Sequence, residues 1–334
     1  MLIVPDSSDP WLTQSKQDDL SNTDLQVSTC LIQNVAPLDS QIGEWPKKTV
    51  PAVLEKAVFG GPWAHSYALI DAARHENLLT RLEERELPGS CLFEGAAGER
   101  VAEVSPWLLE ISDDDRLTRN LFTAPIGTDH IWDATRCLFL RSNQPIIEVR
   151  RNLRKMTQIR DERGRWLFFR FWDPLFARYL LSYGSNAFRL RLLRTGPVMM
   201  RGSDDSDFQI WSLPAGTDQI PRSPFQLEPE DLRALKLARL DDFVSRILTW
   251  LRSSYGGLPN GMDEQRFALE LTMHAREWIK LRTERQISDY IAASWLLRMP
   301  AERRLDMRPV SHEIPQATLE RVHDMAYQIF KGTS

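Results

Sequence analysis

Apolar positions along the chain follow two rhythms, one before residue 215 and one after residue 229. Between residues 63 and 211, short apolar runs alternate with stretches of helical period. His65-Ser66-Tyr67-Ala68-Leu69-Ile70-Asp71 predicts a buried strand ending in an acid. Residues 77–85 predict a helix with Leu78, Leu79 and Leu82 on one face, and Pro88-Gly89 a turn. Cys91-Leu92-Phe93-Glu94-Gly95 then predicts a second strand that also ends in an acid. Residues 101–111 read as extended, 113–122 as a helix with an acidic first turn, and 137–140 as a further strand. Ser142 or Asn143 caps a predicted helix to about residue 159, with Ile146, Ile147, Val149, Leu153 and Met156 on its buried side. Residues 166–172 form a dense aromatic strand, Asp173-Pro174 opens a helix, and strands follow at 198–200 and 208–213.

Strands alternating with helices predict an α/β (α+β) N-terminal lobe with a mixed sheet over residues 49–214. It is preceded by a polar, partly flexible leader, residues 1–48, whose short apolar segment at 30–35 adds a strand or arm. A Pro-rich linker spans 215–229, and beyond it strand signals vanish. Helices are predicted over 230–253, 263–281, 283–299 and 315–330, with Thr283 and Gln286 at capping-box spacing. Residues 230–334 therefore read as a separate all-helical C-terminal lobe.

With 42% of residues hydrophobic and 26% charged, the composition is that of a globular chain. A formal net charge of -4 and a pI near 5.9 give no global attraction for phosphate backbones or anionic membranes, so nucleic acid is not the expected partner. Cys30, Cys91 and Cys137 are too scattered for a disulfide framework or a metal knuckle and read as buried free thiols in a reducing compartment. The first ten residues lack the basic start and apolar stretch of a secretory signal, and no window approaches the ~18 apolar residues that span a bilayer. The expectation is a cytoplasmic protein without membrane insertion, a monomer on its own. Eleven tryptophans stand out; core packing absorbs most of them, and a minority would serve a binding surface.

No GxSxG, GxxxxGK[ST], HExxH or GxGxxG pattern is present. The histidines His65, His75, His130, His274, His312 and His323 lie far apart in sequence. His274 and Glu277 share a helix face, which reads as an exposed hydrogen-bonded pair rather than half of a metal site. The best enzyme case is a hydrolase built on the strand-end acids Asp71 and Glu94, with His65 and His75 nearby in sequence. Against it, each acid can cap the turn that follows or take an arginine such as Arg74 or Arg170. No cofactor or metal is expected. Arg150, Arg151, Arg154, Lys155, Arg160, Arg163 and Arg165 outnumber Asp161 and Glu162, and this strip reads as a solvated helix face or a docking face for an acidic protein. As a phosphate-binding strip it would have supported a nucleic-acid-associated regulator. Trp250, Trp278 and Trp295 fall on helices of the C-terminal lobe, where any exposed member would suit the grip of another protein's apolar helix. Arg150, Arg151, Arg154, Trp250, Trp278 and Trp295 are thus the candidate partner-binding residues.

A series of short motifs, taken in order, resembles one known family. It runs through Tyr67-Ala68-Leu69-Ile70-Asp71-Ala72-Ala73, Ser90-Cys91-Leu92-Phe93-Glu94-Gly95 and Val104-Ser105-Pro106-Trp107-Leu108. It continues with Leu153-Arg154-Lys155-Met156-Thr157, Phe169-Arg170-Phe171-Trp172-Asp173-Pro174 and Gly196-Pro197-Val198, and a weaker echo follows at Thr283-Glu284-Arg285-Gln286-Ile287. The series is similar to that of the domain-of-unknown-function 4123 family, whose members are effector adaptors and chaperones of bacterial type VI secretion systems. The resemblance implies a protein that binds a toxin effector, keeps it soluble and helps load it onto the VgrG spike, without catalysis. It brings no catalytic residues, and it implies a scaffold role for Asp173 as a helix cap and for Phe169 and Phe171 as filling of one sheet face. The long polar leader departs from the family's pattern.

Overall fold

The computed structural model of the chain describes residues 25–74, 89–93, 95, 98, 100–124, 132, 137–160, 165–202, 206–214, 216–217, 225–259, 261–308 and 315–332. In chain order the strands are β1 (Ser28–Ile32), β2 (His65–Asp71), β3 (Gly89–Cys91), β4 (Pro106–Ile111), β5 (Leu138–Ser142), β6 (Gln158–Arg160), β7 (Trp166–Phe168), β8 (Val198–Arg201) and β9 (Phe208–Ser212). The helices are α1 (Ala52–Val58), α2 (Arg116–Leu121), α3 (Ile146–Arg154), α4 (Pro174–Tyr183), α5 (Asn186–Leu193), α6 (Pro229–Tyr255), α7 (Glu264–Glu277), α8 (Glu284–Leu297) and α9 (Pro315–Gly332). The helix expected at 77–85 and the strand-end acid Glu94 lie outside the described residues.

Two compact units make up the chain. One joins Met1–Lys155 to Asn186–Phe225, and the other joins Met156–Ser185 to Gln226–Ser334. The boundary expected in the Pro-rich linker is therefore incomplete, because residues 156–185 belong with the helical part.

The first unit is built on a seven-stranded sheet in the order β1-β9-β8-β5-β2-β4-β3. Every pairing in it is antiparallel, which corrects the expected mixed sheet. Alternating strand and helix signals report the length of the connections, whereas direction depends on which end of the sheet the chain returns to. β2 sits inside the sheet and is buried along nearly its whole length, so both of its faces are covered. Ala68 and Ile70 on one face pack with Leu54, Leu109, Phe122 and Phe139. Tyr67 and Leu69, on the other face by alternation, are equally buried. Asp115 starts α2 by accepting hydrogen bonds from Leu117 N at 3.0 Å and Thr118 N at 3.1 Å. α3 ends earlier than expected, since residues 158–160 are spent on β6, and Ile147 points to solvent rather than to the core.

Gly196 has a structural reason to be glycine. Its φ is +133°, and a Cβ there would lie 1.8 Å from the carbonyl oxygen of Arg141. Pro197 follows, and its carbonyl accepts from Arg141 N at 3.0 Å. The buried Arg141 side chain is held by carbonyl and hydroxyl oxygens. Its guanidinium donates to the carbonyls of Phe59 at 3.1 Å, Gly60 at 3.0 Å and Trp63 at 2.8 Å, and to Val58 O and Ser66 Oγ. These are the carbonyls left over where α1 ends, so one arginine closes the helix and holds the loop beyond it. Burial lowers its pKa below the ordinary arginine value.

In the second unit α8 is the central helix: Tyr290, Ile291, Ala292 and Ala293 are fully buried, against side chains of α6, α7 and α9. Its start carries the capping box expected from Thr283 and Gln286, with Gln286 N donating to Thr283 Oγ1 and Thr283 N to Gln286 Oε1, both at 3.2 Å. Asp263 caps α7 by its side chain alone, accepting from Arg266 N at 3.0 Å. Asp173 caps α4 as expected, accepting from Leu175 N at 3.1 Å. α4 presents Ala177, Leu180 and Leu181 to the core and packs against α6. The aromatic strand expected over 166–172 stops at Phe168 and, among the described residues, pairs only with β6. Phe169 and Phe171 are buried, 6.4 Å apart, in this unit instead of filling a face of the large sheet.

Candidate partner-binding surfaces

Asp71 closes β2 and is buried; its Oδ1 accepts from Ala73 N at 3.2 Å, as a turn-capping aspartate does. His65 stands at the opposite end of the same strand, six residues and about 20 Å away at the usual rise. Its Nδ1 contacts Glu110 Oε1 at 2.7 Å. β2 thus keeps these two groups apart, and His75 with Glu94 lies outside the described residues. Among the described residues no three His, Cys, Asp or Glu side chains gather as a metal site would need.

The expected arginine strip has mixed roles. Arg150 Nε donates to the Cys91 carbonyl at 2.6 Å, tying α3 to the end of β3. Arg151 pairs with Glu148 one turn earlier on the exposed side of α3. Arg154 is exposed as well, so Ile147, Arg151 and Arg154 share one face at helical spacing. Arg163 lies outside the described residues.

The tryptophans also divide. Trp295 is buried, with its Nε1 donating to Gly256 O at 3.1 Å, and therefore belongs to the core. Trp278 at the end of α7 is 77% exposed and Trp250 on α6 is 40% exposed, the latter edge-on to Tyr255 at 5.7 Å. His274 contacts Glu302 Oε1 at 2.8 Å. The other oxygen of Glu302 accepts from the Tyr290 hydroxyl at 2.9 Å, so the acid pins its short turn to α7 and α8. Burial first, and Glu302 second, push the Tyr290 pKa up. Of the thiols only Cys137 is buried, and burial raises its pKa; Cys91 is half-buried and Cys30 exposed on β1, which corrects the expectation of three buried cysteines.

Two apolar surfaces escaped the sequence reading. Trp166, Leu167 and Phe168 on β7 are 58%, 45% and 70% exposed. The Gly164 signal and the bracketing Arg165 and Arg170 hint at an exposed hairpin, but a run of aromatic residues reads as core. The second is a loop in the first unit. The side-chain amide of Gln41 donates to Lys48 O at 3.0 Å and accepts from Lys48 N at 2.7 Å, and so closes a loop on which Ile42 and Trp45 are almost wholly exposed.

Residues 66–188 match the family model described as "Domain of unknown function (DUF4123)". Over this segment the chain is similar to the DUF4123 family. No curated protein and no solved structure matches the chain. The matched segment runs from β2 to the first turn of α5 and therefore contributes to both units, to the large sheet and to the β6–β7 hairpin with α4. Among the described residues no helix is long and apolar enough to cross a membrane.

Proposed function

We propose that this chain is a non-catalytic adaptor and chaperone for a type VI secretion effector. In this reading it binds a toxin in the cytoplasm, keeps it soluble and helps load it onto the VgrG spike. The DUF4123 match over residues 66–188 carries the reading. The surface supports it: Trp278, Trp250 and the apolar triad of β7 expose large side chains of the kind that dominate protein–protein contacts. The chemistry of Asp71 also fits, since its carboxylate serves the turn that follows β2.

The test is genetic. Removing the chain from its native cell should lower both the soluble amount and the delivery of one toxin, and re-expressing it should restore both. Unchanged toxin solubility and delivery would rule the reading out.

A further inference from the structure

The β6–β7 hairpin pairs Gln158 with Phe168, Ile159 with Leu167 and Arg160 with Trp166. Cross-strand partners share a face, so Leu167, itself partly exposed, lies with buried Ile159 on one side while Trp166 and Phe168 stand together on the other. The side of Ile159 is anchored, since the ladder continues to Phe169 N donating to Thr157 O at 2.9 Å and Phe169 is buried. β7 has one strand neighbour, β6, among the described residues. A short two-stranded ribbon is marginal by itself, and an exposed apolar edge strand is a template for another strand.

Charge narrows the occupant. Arg165 and Arg170, both exposed, bracket the apolar triad, and residues 158–170 hold four arginines against two acids in a chain of net charge -4. We propose that β7 receives an extended segment of the cargo protein as a third strand, one with apolar residues at alternate positions and Asp or Glu at its ends. Backbone hydrogen bonds would supply affinity, Trp166 and Phe168 would grip the alternate side chains, and the arginines would select the flanking acids. The proposal rests on the reading that the chain binds a protein cargo.

The probes are two labelled peptides, Glu-Glu-Val-Thr-Val-Thr-Val-Glu-Glu and its Lys-flanked twin, titrated against the full chain by fluorescence anisotropy. The acid-flanked peptide should bind at least about tenfold more tightly than its twin, a difference of about 1.4 kcal/mol. It should crosslink to a photoreactive residue placed at position 168. Trp166→Ser with Phe168→Ser should weaken binding at least about tenfold, and Arg165→Glu with Arg170→Glu should remove the preference for acid. Circular dichroism of both variants should match the wild type, showing that the loss of binding is not a loss of fold. Equal binding of the two peptides, or variants that bind like the wild type, would overturn the assignment. These results are separable from the adaptor reading, which fails if no toxin depends on the chain whatever the peptides do.

Discussion

Asp231 holds Ser185 by two hydrogen bonds, accepting from its backbone N at 2.8 Å and from its hydroxyl at 2.9 Å. The carboxylate is fully buried and also accepts from Glu228 N at 2.9 Å, closing the capping box that starts α6. It thereby fastens the residue beyond the end of α4 to the start of α6. Gly184 leaves room for it, since a Cβ there would come within 2.8 Å of Asp231 Oδ1. Asp231→Ala would strand three donors and is expected to cost about 3 kcal/mol, with Ser185→Ala costing about 1 kcal/mol. Urea unfolding of the full chain followed by circular dichroism checks both values, and a neutral Asp231→Ala would contradict the role.

The same connection bears on truncation. Cutting the chain after residue 225 would remove α6 from α4 and expose Ala177, Leu180 and Leu181. The shortened chain is expected to aggregate or to bind a hydrophobic dye strongly, although the cut falls in the Pro-rich stretch where a domain boundary would be sought. A soluble, monomeric, dye-silent product would show that α4 does not need α6.

Arg141 acts similarly in the first unit, reaching the carbonyls at the end of α1 from more than 75 residues away in sequence. Arg141→Met should leave those carbonyls without donors and cost about 3 kcal/mol. Gly196→Ala should be at least as damaging, because the added methyl meets the Arg141 carbonyl. Thermal melts of the two variants against the wild type read both effects.

Tyr179 gives a pH signature. Burial, and then the Asp241 carboxylate, push its pKa up to about 12. The folded form therefore favours the neutral phenol, and the stability it contributes is present below the unfolded pKa near 10 and is lost as pH rises through about 12. In an ultraviolet titration of phenolate, Tyr179→Phe should remove one group that ionises near pH 12, and Asp241→Asn should move that ionisation downward. Loss of a group ionising near pH 10 instead would contradict the cause.

What the sequence made legible was local. Asp173, Asp263 and the Thr283–Gln286 pair cap the helices they precede because a cap acts within three residues. The strand at β2 and the four long helices of the second unit announce themselves by period. Strand direction, the partition at residues 156–185 and the role of Arg141 depend on contacts far apart in the chain, and no window of sequence holds both partners. The candidate surface was legible in part. Trp250 and Trp278 are exposed, but Trp295 has the same helical setting and is buried, because each helix meets several neighbours. The β7 triad was read as core since apolar pattern alone does not distinguish a packed strand from an edge left open for a partner.

The central claim is that this chain holds a toxin for delivery. Its most direct test is recovery of the tagged full chain from native cells at physiological salt, with mass spectrometry of the associated proteins. The account predicts one large toxin-like effector in near-stoichiometric amount, with or without the VgrG spike. Recovery of the chain without a protein at comparable amount, from cells that make the secretion system, would contradict it.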